Sequence, residues 1–107
     1  MTTAILREKL NLEILNEADP NREVTGGYTG DLLSWVMSGA QSGDMWVTIM
    51  TNINIIAVAS LTDVACVVIA DGAEIEDSVI EQAKIRNINL YRSKKTAYQI
   101  CNEPLFL

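Results

Sequence analysis

The sequence of 107 residues contains no histidine and only two cysteines, Cys66 and Cys101. The absence of histidine excludes Ser-His-Asp and Cys-His arrangements, most zinc sites and the usual general base near neutral pH. The two cysteines are far apart in apolar or helical settings, so we expect reduced thiols and no disulfide framework. The sequence therefore offers no complete catalytic constellation.

Long hydrophobic runs and clustered positive charge are also missing. Hydrophobic residues make up 49% of the chain, but their runs stay far below the roughly 18 residues that cross a bilayer, and the N-terminus has no signal-peptide pattern. The net charge is −6, and the basic cluster of Arg92, Lys94 and Lys95 is too small to favour nucleic acid. We expect a cytoplasmic protein that binds neither membranes nor nucleic acid.

The apolar residues predict one α/β domain over residues 1–107, because short buried-strand segments alternate with helical patterns. This alternation predicts a mainly parallel central sheet of about four to five strands, with right-handed crossovers and helices on both faces. The predicted strands are residues 12–15, 45–51, 64–70 and 88–92. The predicted helices are residues 3–10, 31–40, 52–61 and 77–87, and a last one after Ser93. The tail over 103–107 either docks in a surface groove, is flexible or is a non-native extension.

Helical spacing and capping residues add detail to these helices. Asp31 or Thr29 is expected to cap the second helix, and Ser93 the last one. The buried face of the third helix is expected to hold Ile53, Ile56, Ala57 and Ser60, and that of the last helix Ala97, Ile100 and Cys101. Trp35 and Trp46 are expected in the core or at an interface.

The connection over residues 16–30 is the main functional candidate, because it exceeds the about 4 to 6 residues usual inside a compact domain. Thr25-Gly26-Gly27 and Gly30 offer backbone amides that could surround an anion near the following helix. A turn requiring positive φ explains adjacent glycines equally well, and the segment could instead be a hairpin that covers a sheet edge. Neither a nucleotide-hydrolase phosphate loop nor a Gly-x-Gly-x-x-Gly motif is present.

Polar residues at the carboxyl ends of the strands form a second candidate region, since ligands of open α/β sheets collect there. Thr51 and Asn52 could hydrogen bond to a ligand or cap a helix, and Asp71 could contact ribose or magnesium or only form a turn. Arg22 could bind a phosphate or carboxylate, or pair with an acidic residue of its own loop: Glu17, Asp19 or Glu23.

The predicted ligand-binding residues share either the glycine-rich segment or the carboxyl ends of the strands. They are Arg22, Thr25, Gly26, Gly27, Gly30, Thr51, Asn52 and Asp71. No catalytic residue, metal ligand or cofactor is predicted. An enzyme would require Asp31 or Asp71 with a bound metal.

Five separated blocks resemble the DRTGG domain family, in the family's order and over nearly the whole chain. They are Arg22-Glu23-Val24-Thr25-Gly26-Gly27-Tyr28, Gly30-Asp31-Leu32-Leu33-Ser34, Trp46-Val47-Thr48-Ile49, Asn54-Ile55-Ile56-Ala57-Val58-Ala59-Ser60 and Ala70-Asp71-Gly72. Asn21 stands where the family name has its aspartate. Members similar to this chain occur between paired CBS domains of regulated inorganic pyrophosphatases, ahead of phosphotransacetylase domains and as stand-alone proteins of anaerobic bacteria.

The resemblance implies a regulatory α/β module that tends to form homodimers, without activity of its own and without a generally assigned ligand. By this resemblance, Arg22, Thr25, Gly26 and Gly27 carry the family motif. One hypothesis is a homodimeric sensor of a nucleotide or other small anion that acts on a regulated partner protein. In it, replacing Arg22 by alanine abolishes binding without unfolding the chain. The alternative is an oligomerisation or partner-docking module with no small-molecule ligand.

Overall fold

The computed structural model describes residues 1–105, which form five helices and five strands. Among these residues, no helix has the length and hydrophobicity that a bilayer crossing requires. In chain order the elements are α1 (Thr3–Leu10), β1 (Glu13–Asn16), β2 (Gly26–Thr29), α2 (Leu33–Gly39), β3 (Asp44–Thr48), α3 (Asn54–Thr62), β4 (Cys66–Ile69), α4 (Asp77–Ile85), β5 (Leu90–Arg92) and α5 (Ala97–Cys101).

The five strands form one sheet in the order β1-β5-β4-β3-β2. Strands β2, β3, β4 and β5 are parallel, and β1 pairs antiparallel with β5. The predicted mainly parallel sheet is therefore confirmed. We call the side where the four parallel strands begin the amino edge, and the side where they end the carboxyl edge.

The two central strands are buried on both faces, as their apolar sequences predict. Every residue of β3 and β4 is buried, which suits strands covered by helices on both sides. One face packs against α2, α3 and α4 and includes Trp46, Val67, Ile69 and Leu90. The other packs against α1 and α5 and includes Met45, Val47, Val68 and Tyr91. The predicted helices on both faces are confirmed.

The segment over residues 16–30 is not one long loop, so that interpretation was wrong. Gly26–Thr29 forms β2, an edge strand that pairs in parallel with β3. The sequence does not predict this strand because two of its four residues are glycines, which are depleted in strands. Residues 17–25, which we call the amino-edge segment, run from the end of β1 to β2 along the amino edge.

Several details of the helices differ from the expectation. The buried face of α3 holds Ile55, Ile56, Val58 and Ala59, whereas Ile53 and Ser60 are exposed. This strongly apolar helix presents two plausible faces, and spacing alone selected the wrong one. The cap of α5 is Thr96, with a capping box to Gln99, while the Ser93 hydroxyl accepts a hydrogen bond from the Lys95 amide. Because α5 has only five residues, it buries Ile100 but leaves Cys101 exposed.

Both cysteines are free thiols. Burial raises the pKa of the Cys66 thiol to about 12, so this side chain stays protonated near neutral pH. In the predicted tail, Leu105 packs partly against the core formed by α1 and α5. Residues 106 and 107 lie outside the described residues.

Asn89 holds the amino-edge segment against the sheet. Its buried side-chain amide accepts hydrogen bonds from the backbone N–H groups of Ala18 and Asp19, at 2.8 and 2.9 Å. It also donates to the carbonyl oxygens of Asp19 and Ala65, at 2.9 and 3.0 Å. One side chain thus satisfies backbone groups of the crossing segment and of the residue before β4.

Glu17 anchors the start of the same segment. Its carboxylate accepts hydrogen bonds from the Tyr91 hydroxyl at 2.6 Å and from Arg7 Nε at 2.7 Å. Burial alone would raise the pKa of Glu17, but these hydrogen bonds outweigh it and lower that pKa. The carboxylate therefore remains ionised and continues to hold the segment at mildly acidic pH.

Replacing Asn89 by alanine is expected to lower the free energy of unfolding by about 3 kcal/mol, because it leaves buried backbone donors and acceptors unpaired. Urea unfolding followed by circular dichroism measures this loss. Replacing the exposed Asn102 by alanine is the matched control, and we expect almost no change there. Equal effects of the two substitutions would contradict the anchoring role of Asn89.

Candidate functional site

The eight predicted site residues do not lie together. Arg22, Thr25 and Gly26 lie at the amino edge, where β2 and β3 begin. Gly30, Thr51, Asn52 and Asp71 follow the strands at the carboxyl edge, and Gly27 lies inside β2. Strand β3 has five residues, so about 13 Å separates the two edges. The two groups of residues therefore belong to different surfaces of the domain.

Arg22 binds a carboxylate of its own chain. Its guanidinium donates to both carboxylate oxygens of Asp63 at 3.1 Å and to the Asp63 carbonyl oxygen at 2.9 Å. The Ser42 hydroxyl donates to the same carboxylate at 2.6 Å. The hydrogen bonds from Arg22 and Ser42 lower the pKa of Asp63. The amino-edge segment is thereby connected to the turn between α3 and β4.

The acidic partners expected for Arg22 are engaged elsewhere. The Asp19 carboxylate accepts a hydrogen bond from the Asn21 amide at 2.9 Å. Glu17 binds Arg7 and Tyr91, and Glu23 pairs with the N-terminal ammonium group at 3.1 Å. The actual partner, Asp63, ends α3 in the left-handed conformation and is 41 residues further along the chain. Sequence spacing carries no signal for a pair so distant, so this contact was missed.

The other motif residues at the amino edge pack closely against the turn before β3. Gly43 has a φ of +87°, and a side chain there would collide with the Thr25 hydroxyl. At Gly26 a Cβ atom would lie 2.8 Å from the Asp44 carboxylate, which accepts a hydrogen bond from the Gln41 amide. These glycines allow two segments of backbone to approach each other, and the Asp44 carboxylate is bonded within the chain.

The carboxyl edge, in contrast, has open space between polar side chains. A cavity of about 490 Å³ lies beside the ends of β4 and β5. It is lined by Leu10, Asn11, Glu13, Gly72, Glu74, Arg92, Ser93, Lys94 and Lys95. We call it the basic cavity, because three of its lining residues carry positive charge.

The turn after β4 forms one wall of the basic cavity. Asp71 and Gly72 both have positive φ values, 59° and 61°, so the predicted Asp-Gly turn is confirmed. The Asp71 amide donates to the Lys95 carbonyl oxygen and the Gly72 amide to that of Ser93. These bonds fix the turn against the segment after β5 and hold Lys94 at the cavity wall.

The three cations of the basic cavity differ in their partners. Arg92 forms a bidentate pair with Glu13, at 2.6 and 3.2 Å, and this hydrogen-bonded carboxylate raises the arginine pKa. Lys95 lies 3.8 Å from Glu103. Within residues 1–105, Lys94 forms no ion pair. Lys94 is therefore the cation of this cavity that is available to an anion.

A second cavity, of about 600 Å³, adjoins the first, and Glu74 lines both. We call it the amide cavity. Its walls combine hydroxyl and amide groups with apolar side chains: Thr51, Asn52, Ile53, Glu74, Ile75, Glu76, Ser78 and Val79. The Asn52 side-chain oxygen accepts a hydrogen bond from the Asn54 amide, but the N-cap of α3 is Ile53, so Asn52 is not the cap of this helix.

Asp31 has a structural role that the sequence did not indicate. It does not cap α2, whose N-cap is Leu32, and Thr29 belongs to β2. Its carboxylate instead accepts hydrogen bonds from the Thr48 hydroxyl at 2.8 Å and the Ile49 amide at 2.9 Å. Among residues 1–105, no three acidic or cysteine side chains are grouped as a metal site would require.

Comparison with known proteins gives a match in fold. No protein-family model and no curated protein matches the sequence. The crystal structure of the CBS and DRTGG domains of the regulatory region of Clostridium perfringens pyrophosphatase, complexed with the activator diadenosine tetraphosphate, is similar with a TM-score of 0.70 and 16% identity. The match covers 90% of this chain and 42% of that one. The predicted DRTGG-like fold is therefore confirmed, in a chain that spans less than half of that structure.

Replacing Arg22 by alanine is expected to lower the free energy of unfolding by about 1 kcal/mol at pH 7, because it removes the partly exposed pair with Asp63. The pKa of Asp63 is lowered in the folded state, so this stabilisation is present above the ordinary aspartate pKa. It is lost as the pH falls through the lowered value. Urea titrations at pH 7 and at pH values through that window measure the difference.

The matched control is the exposed Arg86, whose replacement by alanine should leave stability nearly unchanged at every pH. An Arg22 variant with unchanged stability but weakened nucleotide binding would contradict the structural role and return Arg22 to a ligand site.

Proposed function

We propose that this chain is a non-catalytic regulatory domain that binds a small anionic ligand of nucleotide type at the carboxyl edge and acts as a homodimer. The observation that carries the proposal is the pair of adjoining cavities at this edge, one basic and one with amide and apolar walls. Both lie where ligands of open α/β sheets usually bind.

The basic cavity suits the phosphate groups of such a ligand. Lys94 supplies a positive charge, and Arg92 and Lys95 add to the positive potential although each already has a carboxylate nearby. Gly72 has a positive φ, a conformation that favours glycine, and it lies at this wall. Because glycine has no side chain, a phosphate oxygen has room beside Lys94. Charge-assisted contacts of this kind supply much of the affinity for phosphates.

The amide cavity suits a nucleoside. Ile53, Ile75 and Val79 offer apolar surface for the base, and Thr51, Asn52 and Ser78 offer hydrogen-bonding groups. Glu74 lies at the junction of the two cavities, where its carboxylate can accept hydrogen bonds from ribose hydroxyl groups. In this arrangement Thr51, Asn52 and Gly72 serve the ligand, whereas Asp71 lines neither cavity.

The similar structure supports the ligand class and the regulatory role. It is a regulatory region, and its complex contains diadenosine tetraphosphate. The position proposed for the ligand in the present chain depends on this chain's own cavities. In this proposal Arg22, Thr25 and Gly26 stabilise the amino edge, and the signal passes to a catalytic partner protein that the domain regulates.

The alternative function is an oligomerisation or partner-docking module without a small-molecule ligand. It is favoured by one observation, the side chain of Trp35, which is 69% exposed. An exposed tryptophan is common at protein interfaces and rare as a purely solvated residue. The sensor hypothesis and this alternative differ in whether the purified protein binds nucleotides.

The Lys94→Gln variant is expected to bind ATP and diadenosine tetraphosphate at least about tenfold more weakly than the wild type, as loss of a charge-assisted phosphate contact implies. Isothermal titration calorimetry at low salt measures this change. The Lys84→Gln variant removes the same charge from exposed α4 and should bind as the wild type does.

Three results separate the possibilities. Weaker binding by the Lys94 variant alone supports the site at the carboxyl edge. Equal binding by both variants removes Lys94 from the site, and an Arg22→Ala variant then tests the amino edge. A wild-type protein that binds neither nucleotide contradicts the sensor hypothesis and leaves the docking module.

A further inference from the structure

The outer edge of β2 is open in the described part of the chain, because β2 is the last strand of the sheet. The opposite edge strand, β1, carries two features that discourage pairing with another protein. Glu13 forms an ion pair with Arg92 on this edge, and the register shifts between Ile14 and Asn16. Charged side chains and irregular register are common protections of edge strands.

Strand β2 has neither protection. Its residues, Gly26–Thr29, include no charge and no proline, and its register with β3 is regular over the whole strand. Asp31 is the only charged residue of the sequence between Val24 and Gly43. Its carboxylate is engaged by Thr48 and Ile49. In a chain with a net charge of −6, the surface of β2 and α2 is thus almost free of charge.

Apolar side chains accompany the open edge on one face of the sheet. Helix α2 packs on β2 where Gly39 meets the ring of Tyr28, and the Tyr28 hydroxyl donates to the Trp35 carbonyl oxygen at 3.4 Å. Trp35 precedes Gly39 by four residues, so it lies on the same side of α2, the side toward β2. Leu32, one turn earlier, is also exposed.

A small cavity accompanies the edge on the other face. Its volume is about 300 Å³, and it lies between β2 and the segment that follows α5. It is lined by Gly27, Tyr28, Thr29, Met45, Val47, Cys101, Glu103 and Leu105. The open edge is thus bordered by mostly apolar surface on both faces of the sheet, with Glu103 as the one charged residue among those that line the cavity.

We propose that the occupant of this edge is a second copy of the chain, whose β2 pairs antiparallel with the first around a twofold axis. The inference rests on the homodimer of the proposed function and specifies its surface. A strand that pairs antiparallel with its own copy is self-complementary, so one surface serves both partners. The pairing joins the two five-stranded sheets and brings Trp35 of each copy toward the partner.

Charge favours a second copy at this place over the charged parts of the surface. Two chains of charge −6 repel each other, so contact through charged surfaces is costly. The uncharged surface formed by β2 and α2 avoids that cost. Pairing also satisfies backbone groups of the open edge and removes Leu32 and Trp35 from water.

Light scattering after size-exclusion chromatography at micromolar concentration tests the proposal with two independent variants. The wild type is expected at twice the chain mass of 11.8 kDa. Gly27→Lys places a charge on the edge strand, and the site tolerates a Cβ because its nearest atom, the Met45 carbonyl oxygen, is 3.6 Å away. Trp35→Glu removes the exposed apolar side chain. Both variants are expected at the mass of one chain.

Ile85→Glu is the matched control, because Ile85 is 66% exposed on α4, whose described contacts include the opposite edge strand β1. This variant should remain dimeric. Circular dichroism confirms that each variant is folded. If Gly27→Lys does not fold, Trp35→Glu decides, because its side chain is already in solvent in the single chain.

The outcomes distinguish the surface from the dimer itself. Monomeric Gly27 and Trp35 variants beside a dimeric wild type support the β2 surface. A dimer that persists in both variants overturns the β2 surface and leaves the homodimer of the proposed function intact. A monomeric wild type overturns both, whatever the nucleotide titrations show.

Discussion

The side-chain amide of Asn89 is the contact on which the path of the chain depends. The amino-edge segment crosses from β1 on one side of the sheet to β2 on the other. The N-terminus and the start of α1 pair its later part, because the Thr3 and Ala4 amides donate to the carbonyl oxygens of Arg22 and Pro20 and the Val24 amide donates to that of Met1. Asn89 pairs its earlier part through three hydrogen bonds to main-chain atoms of Ala18 and Asp19, and a fourth bond reaches the Ala65 carbonyl oxygen. Because one buried amide satisfies main-chain groups of both the crossing and the sheet, the crossing can follow the sheet closely.

Two further side-chain anchors act at the ends of the crossing. Glu17 attaches its start to α1 and β5 through Arg7 and Tyr91. Arg22 attaches its end to the turn between α3 and β4 through Asp63. Arg22, Thr25 and Gly26 thus lie among the contacts that position β2. The basic cavity and the amide cavity lie at the carboxyl edge. The contacts that stabilise the fold at the amino edge are therefore separate from the proposed ligand contacts.

The sequence predicted the parts of this fold that depend on local patterns. The continuous apolar run at β4 and the alternation of helices and strands were sufficient for the class, the mostly parallel sheet and the helices on both faces. The Asp71-Gly72 turn was equally local. Strand β2 escaped prediction because Gly26 and Gly27 have little strand preference, and only pairing with β3 makes them a strand.

The other features that the sequence did not predict depend on contacts between residues far apart in the chain. The partner of Arg22 lies 41 residues away, and the groups held by Asn89 lie up to 71 residues away. No spacing rule reaches so far along a chain. Of the predicted site residues, Thr51 and Asn52 line the amide cavity, whereas the cavity residues Lys94 and Glu74 were not among them, because their charge alone does not indicate a cavity. The distance between the edges became evident only from the sheet topology.

The strand order also determines when the chain can fold during synthesis. Both edge strands come from the first 29 residues, whereas the three central strands come from residues 44–92. Strand β1 pairs with β5, and residue 13 lies opposite residue 92. The first strand is therefore synthesised long before the strand with which it pairs. A nascent chain therefore keeps its glycine-rich strand without a partner until β3 has emerged, and it completes β1 only when nearly the whole domain has been made.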